Sequence, residues 1–170
     1  MRFGFVGKSY QSQSPNVAAD RVINLYPAKV EGGGKTDLAF YPTPGFVKFC
    51  VLPTGPIRGL IFQNARMFAV GGPTLYEVYQ TGAYVSRGLV GDDATHSPVT
   101  MATNGATNGS GGHQVFIVSA GNGFILDLND HVFTQVLTGQ ATVGGFLDGY
   151  FVALDVPAST LRVSGLMNGL

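Results

Sequence analysis

The most chemically suggestive run in the chain is VEGGGKTDLAF, in which three glycines precede Lys35 and Thr36. A phosphate-binding P-loop has the pattern G-x-x-x-x-G-K-[ST], with a helix directly behind it. Lys29 occupies the place of the first required glycine, and Pro42 and Pro44 prevent a long helix downstream. We therefore interpret the run as a glycine turn between two extended segments and predict no nucleotide cofactor.

The other candidates for chemistry are histidines and aspartates near predicted turns. They are His96, His113, His131, Asp92, Asp93, Asp127 and Asp130. The sequence contains no H-E-x-x-H, C-x-x-C or G-x-S-x-G motif, and the aspartates do not match a calcium-binding loop. Loop histidines and turn carboxylates are therefore the favoured interpretation, and we predict no enzyme, no catalytic residue and no metal. A glycosidase with acids from several loops stays open, although the chain has no Trp to line a sugar pocket.

The composition is that of a folded domain with an unusually small number of charges. Of 170 residues, 45% are hydrophobic and only 12% are charged, and the net charge is zero. An average soluble domain has about 25% charged residues, so the deficit indicates a surface that is covered by further copies or partners. A balanced charge gives no support for a basic groove, and no sequence-specific binding of nucleic acid is predicted.

The single cysteine, Cys50, lies in the apolar run KFCVL and is predicted to be a buried, unreactive thiol. The N-terminus MRFGFVGKSYQSQSP lacks the apolar centre of a secretory signal, and no stretch approaches the ~18–20 apolar residues of a membrane helix. We predict synthesis in a cytoplasm and no membrane partner.

Short apolar runs alternate with turn signals from residue 57 onward, and the same phrase occurs three times. The first copy reads IRGLIF, RMFAV, LYEVY and AYVSRGLV, the second VTMATNG, QVFIVSAGNG, FILDLND and VFTQVL, and the third TVGGFLDG, YFVALDVP and TLRVSGLMNG. The first strands start at Ile57, Val99 and Val143. A period in the low forties with four strands in each unit is typical of a β-propeller blade.

The residue types favour stacked blades over a plain sandwich. Inner strands covered on both faces should be continuously apolar, as MFAV, VFIV and YFVAL are. The last strands, YVSR and FTQ, carry the polar residues expected at the outside. Asp148-Gly149 is the preferred dipeptide of a two-residue type I′ hairpin, and TNGATNGSGG is predicted to be a solvent-facing loop.

The predicted fold is therefore all-β, with β-propeller-like four-stranded antiparallel blades, about two and a half of them in this chain. We expect an N-terminal arm with strands over 1–56 and blades over 57–91, 98–139 and 142–170, the last incomplete. Propellers close with about four to eight blades. A chain that continues into a longer propeller is favoured, while closure by further copies or another stacked β arrangement stays open.

The N-terminal phrases resemble those of one family. SYQSQSPNVAADRVINLYP, LAFYPTPGFVKF, GPIRGLIF and LDGYFVAL occur here in the same order and with similar gaps as in the packaged-DNA stabilisation proteins, or tail accessory factors, of short-tailed bacteriophages. The resemblance runs from about Ser9 to the C-terminus. Members of that family are far longer, and Val22 stands where many of them have a cysteine.

The resemblance implies a virion protein that is made in the host cytoplasm and assembles as a homo-oligomeric ring below the portal and its adaptor. There it would plug the channel to retain packaged DNA and anchor the needle or spikes. The matched positions are Arg21, Asn24, Leu25, Tyr26, Pro27, Tyr41, Pro42, Pro44, Gly45, Gly55, Pro56, Arg58 and Gly59. Of these, the resemblance implies possible subunit contacts for Arg21, Asn24, Tyr26, Pro27, Tyr41, Pro42, Pro44 and Arg58.

Two rival functions stay open beside this structural role. One is a propeller glycosidase or lyase that uses acids such as Asp127 and Asp148. The other is a carbohydrate-binding propeller such as a host-recognition lectin, which should present aromatic residues at equal positions in every repeat. The turns QNA, TNG and LDG lack such residues, which weighs against it.

Overall fold

A computed structural model describes residues 25–29, 38–42, 45–105 and 113–170, with the backbone alone over 26–29 and 38–40. The chain divides into two compact units, Met1–Lys48 and Phe49–Leu170. The described residues contain thirteen β-strands and no helix. The prediction of an all-β chain is confirmed.

The described residues of the first unit include one antiparallel strand pair. It consists of β1 (Leu25–Lys29) and β2 (Leu38–Pro42). The glycine run VEGGGKT, which joins the two strands in sequence, lies outside the described residues.

The second unit contains three antiparallel sheets, each a meander of consecutive strands. Blade 1 is β3 (Ile57–Gln63), β4 (Arg66–Gly71), β5 (Thr74–Val78) and β6 (Tyr84–Leu89). Blade 2 is β7 (Thr100–Thr103), β8 (Gln114–Ser119), β9 (Asn122–Asp127) and β10 (Phe133–Leu137). Blade 3 is β11 (Val143–Leu147), β12 (Tyr150–Asp155) and β13 (Thr160–Val163). The predicted β-propeller-like blades are thus present, two with four strands and one with three.

Tight turns between strands follow the local sequence. Asp148 and Gly149 have φ of 49° and 86°, the two left-handed residues that a type I′ hairpin requires. This prediction is confirmed. The predicted loop TNGATNGSGG falls largely on residues 106–112, which lie outside the described residues.

The blades pack face to face, and each contact between them has its own apolar core. Between blades 1 and 2 the buried residues include Phe68, Leu75, Ile117 and Leu126. Between blades 2 and 3 the core is smaller and centres on Phe116, Ile125, Phe151 and Ala153. The first strands, β3, β7 and β11, lie side by side.

The prediction that inner strands are buried on both faces holds for β8 and for most of β4, but it is wrong for β12. All six residues of β8 are buried because blades 1 and 3 flank it. In β12, by contrast, Phe151 and Ala153 are buried whereas Tyr150 and Leu154 are exposed. Only one face of blade 3 is covered in the described chain, so its middle strand alternates.

A segment before the first blade packs on the uncovered face of blade 1. Cys50 and Leu52 contact the cluster of Ala69, Tyr76 and Val78. The Thr54 hydroxyl donates to the Gly71 carbonyl at 2.6 Å. The prediction that Cys50 is buried is wrong in degree, because the thiol is half-buried at the margin of this cluster.

Candidate interaction surfaces

The structure brings part of the predicted contact set together in the hairpin of the first unit. Tyr26 pairs with Tyr41 across the two strands, and Leu25 pairs with Pro42. Tyr41 and Pro42 are exposed. Pro27 lies in β1 opposite Phe40. Arg21, Asn24 and Pro44 lie outside the described residues. Subunit contact by this set stays a prediction.

Arg58, the remaining member of that set, lies in the second unit and is buried inside the chain. Its guanidinium donates to the carbonyls of Gly72 at 2.9 Å, Gly91 at 2.8 Å and Ser97 at 2.9 Å. It also donates to the Ser119 hydroxyl at 2.9 Å. The side chain thereby joins β3, the β4–β5 turn and the linker after β6 to the β8–β9 turn of blade 2. Its predicted contact with another subunit stays a prediction.

Asp92 completes this buried polar centre and links it to the surface. One carboxylate oxygen lies 3.1 Å from an Arg58 nitrogen, and the other lies 2.7 Å from Nδ1 of the exposed His96. The neighbouring Asp93 accepts hydrogen bonds from the Thr95 hydroxyl and from the Ser97 backbone, which hold the pKa of Asp93 well below its usual range. These groups organise the linker between blades 1 and 2.

A second polar centre lies at the opposite end of the blades and was missed by the sequence analysis. Glu77 of β5 is buried and accepts two hydrogen bonds from Arg66, at 2.6 and 2.8 Å. Arg87 of β6 adds contacts at 2.8 and 2.6 Å. The hydrogen bonds from Arg66 are the largest cause that lowers the pKa of Glu77 to about 2. Both arginines therefore face a carboxylate that stays ionised at neutral pH.

Arg66 extends this centre to blade 2. It donates to the Leu128 carbonyl at 2.7 Å and lies 2.8 Å from Nε2 of His131. A groove of about 780 Å³ opens beside these groups, with Phe49 and Phe62 on its apolar side. Glu77 is fully engaged by the two arginines, so this centre is a structural clamp between blades.

The remaining acids and histidines of the sequence analysis sit in turns. Asp127 accepts from the Asn129 backbone N–H at 2.8 Å, and Asp130 accepts from the Val132 N–H at 2.9 Å. Within the described ranges, no three His, Cys, Asp or Glu side chains converge as metal ligands would. No helix long and apolar enough to cross a membrane occurs among those residues either.

Two apolar sheet faces of the second unit, one at each end of the blade stack, are open to solvent. We call the side of blade 1 away from blade 2 the leading face and the side of blade 3 away from blade 2 the trailing face. The exposed large side chains of the leading face are Leu60, Phe62 and Tyr84, and those of the trailing face are Val143, Leu147, Tyr150, Leu154, Leu161 and Val163. Contiguous apolar patches of this kind mark interaction sites.

The outer edge of blade 3 is open as well. β13 pairs only with β12, whereas the third strand of each other blade pairs with a fourth. A groove of about 340 Å³ lies beside β13, between Val136 and Leu137 of blade 2 and Phe151 of blade 3, and Gly169 and Leu170 also line it. Arg162 borders this groove, and its Nε is buried without a hydrogen-bond partner in the described chain.

The sequence contained a weak signal for these surfaces. The third repeat shows three apolar runs within the given sequence, which agrees with the three strands of blade 3 in the described residues. The alternation of YFVALD and TLRV does not reveal which face stays open, because both faces of a blade are apolar. Arg66, Glu77 and Arg87 are separated in sequence and are joined only by the pairing of β4, β5 and β6.

Comparison with known proteins bears on the fold alone. No family model and no curated protein matches this chain. Similar solved structures include the N-terminal domain of Nup159, with 11% identity, a TM-score of 0.44 and coverage of 63% of this chain and 26% of that one. The WD40 domain of Neurospora crassa Pan2 has 13% identity, a TM-score of 0.39 and coverage of 65% of this chain and 36% of that one. The chain thus spans well under half of each structure, and the assignment of blades depends on the sheet topology described above.

Proposed function

We propose that this chain is a structural protein of a short-tailed phage virion, which forms part of a ring below the portal and its adaptor. In that place it retains packaged DNA and provides an anchor for the tail needle or spikes. The ordered phrases RVINLYP, YPTPG and GPIRGL support this proposal by their resemblance to tail accessory factors.

The observation that carries the proposal is the contrast between charged groups that are paired inside the blade stack and open apolar faces at its two ends. The charged groups Arg58, Asp92, Arg66 and Glu77 form clamps between blades. The two ends of the stack instead present leucine, valine and aromatic side chains to solvent. A protein that works by surface burial needs this distribution, whereas an enzyme needs unengaged polar groups at a pocket.

The low charge content agrees with the same role. Only 12% of residues are charged. Contacts between subunits would cover the apolar faces and so prevent their non-specific association, a task that surface charge performs in other soluble proteins.

The proposal is tested in particles that assemble with and without the chain. We expect an epitope tag on the chain to be located by electron microscopy in the ring below the portal. Particles assembled without the chain should package DNA and then lose it, which a nuclease-protection assay measures. A chain that is absent from purified particles, or particles that keep their DNA without it, would overturn the proposal. Hydrolysis of a polysaccharide that is abolished by Asp127→Asn and Asp148→Asn would favour the enzyme instead.

A further inference from the structure

The open edge of blade 3 and an unpaired segment before blade 1 are complementary to each other. β13 lacks the fourth-strand partner that β5 and β9 have in blades 1 and 2. Residues 49–52 are an apolar run, Phe-Cys-Val-Leu, that belongs to no described sheet. The edge of β13 can pair with a further strand, and the segment before blade 1 pairs with no described strand.

The exposure of this segment alternates as in a strand. Cys50 and Leu52 pack on the leading face of their own blade 1. Phe49 and Val51 are more open to solvent, with 55% and 64% of their surface exposed. A strand between two blades has this two-sided apolar character, so the segment is suited to be the outer strand of a blade that precedes blade 1.

The contact between blades 1 and 2 shows what such an outer strand provides. Phe133 of the outer strand β10 lies against Gly88 of β6 and stacks on Phe124, with the two ring centres 5.3 Å apart. One blade further along, the corresponding place is the groove of about 340 Å³ beside Val136 and Leu137. An aromatic side chain on the missing strand would fill it.

We propose that the chain associates head to tail with a second copy, and that residues 49–52 of one copy add as the fourth strand of blade 3 of the other. Phe49 and Val51 then enter the groove of the second copy, and the backbone pairs with β13 by strand addition. This arrangement places the trailing face of the second copy on the leading face of the first. Leu154 and Leu161 of the second copy then cover Leu60 and Phe62 of the first.

The area available is that of a stable interface. Ten large apolar side chains, each about half exposed, are buried together: Phe49, Val51, Leu60, Phe62, Tyr84, Val143, Leu147, Leu154, Leu161 and Val163. At roughly 80–100 Å² each, the five on either side of one contact amount to about 400–500 Å² per partner. The two contacts of a closed pair therefore bury about 800–1,000 Å² in each copy, against ~800 Å² per partner in a standard interface.

Closure favours two copies. The contact is heterologous, since a segment on one copy meets an edge on the other, and such contacts form rings when the rotation closes. The described residues of one copy form three blades. Two copies of this 170-residue chain therefore bring six such blades together, within the range of about four to eight blades in which propellers close. This inference depends on the open edges of the chain and not on a place in a virion.

The first experiment measures the mass of the purified chain in solution by sedimentation equilibrium. We expect twice the 17.8 kDa mass of one chain at about 50 µM. Phe49→Asp and Leu161→Asp should each raise the dissociation constant at least about 30-fold, because each places a charge in the buried centre of the contact. Val132→Asp is the matched control, since Val132 is equally exposed but lies in a turn of blade 2, away from both faces.

The second experiment mixes the two defective variants. Phe49→Asp keeps an intact edge and Leu161→Asp keeps an intact segment, so a mixed pair has one sound contact, whereas a pair of identical variants has none. The mixture should therefore dimerise more tightly than either variant alone. Circular dichroism checks that each variant is folded. A monomeric wild-type chain at about 50 µM, or a dimer weakened equally by Val132→Asp, would overturn the inference, as would a mixture that dimerises no more tightly than either variant alone. The tail role is judged separately by the particle experiment above.

Discussion

Between blades 1 and 2 both sheets have four strands, whereas blade 3 brings only three strands to its contact with blade 2. The first contact contains a large apolar core and two polar clamps, centred on Arg58 and Glu77. The second contains a smaller core and an open groove, and the Nε of Arg162 has no partner in the described chain. The comparison teaches that the outer strand of a blade does more than extend the sheet. It closes the contact with the neighbouring blade and satisfies the polar groups at its margin.

The largest effect is expected where the first contact is held by a buried charge. Arg58→Met should lower the free energy of unfolding by about 5 kcal/mol, because Asp92 loses its buried cationic partner and the carbonyls of Gly72 and Ser97 lose a charged donor. Urea denaturation at pH 7 measures the loss. Arg58→Lys should recover part of it through the ion pair alone. An effect below about 1 kcal/mol would show that the clamp is dispensable.

The two apolar cores are compared through a pair of matched phenylalanines. Phe68→Ala should cost about 3–5 kcal/mol, since Phe68 is fully buried between blades 1 and 2. Phe151→Ala should cost no more than the lower end of that range, because the space it leaves joins an existing groove that water can enter. Both are measured by urea denaturation in the Phe49→Asp background, which isolates single chains. An equal or greater loss for Phe151→Ala would contradict the comparison.

The Glu77 clamp should make stability depend on pH in a defined window. The folded-state pKa of Glu77 is lowered to about 2 from 4.5, so its contribution is complete above about pH 4.5 and is lost as the pH falls toward 2. We expect a loss of up to about 3 kcal/mol, read as the difference between the wild type and Glu77→Gln. The variant should be less stable at pH 7 and should show a flatter acid limb in thermal unfolding. If the wild type and Glu77→Gln lose stability equally steeply at low pH, the Glu77 clamp is not the cause of that loss.

The smallest effect is expected at two neighbouring glycines of β11. A Cβ at Gly144 would lie 2.6 Å from side-chain atoms of Phe116 and Val118, whereas at Gly145 it would meet nothing within 4 Å. Gly144→Ala should therefore cost about 1–3 kcal/mol, and Gly145→Ala should be close to neutral. Thermal unfolding separates the two. Equal tolerance at both positions would mean that blades 2 and 3 are not closely packed.

Much of the fold could be predicted because it is local. Strands, turns and meanders are specified by short apolar runs and by dipeptides such as Asp148-Gly149, whose left-handed φ angles the structure confirms. The repeat starting at Ile57, Val99 and Val143 placed the blades to within a residue or so of β3, β7 and β11. The phage resemblance adds a role that stays a proposal.

The sequence by itself determined an all-β chain of repeated meanders with few charges. Only the tertiary structure decided which apolar face of each blade is covered, that Arg58 is an internal clamp and that Glu77 joins Arg66 and Arg87. The physical reason is that the sequence pattern of a strand shows which side chains it can bury. The position of a neighbouring blade decides which of these side chains are buried. The packing of Cys50 and Leu52 on blade 1, with Phe49 and Val51 left exposed, became visible only in the tertiary structure.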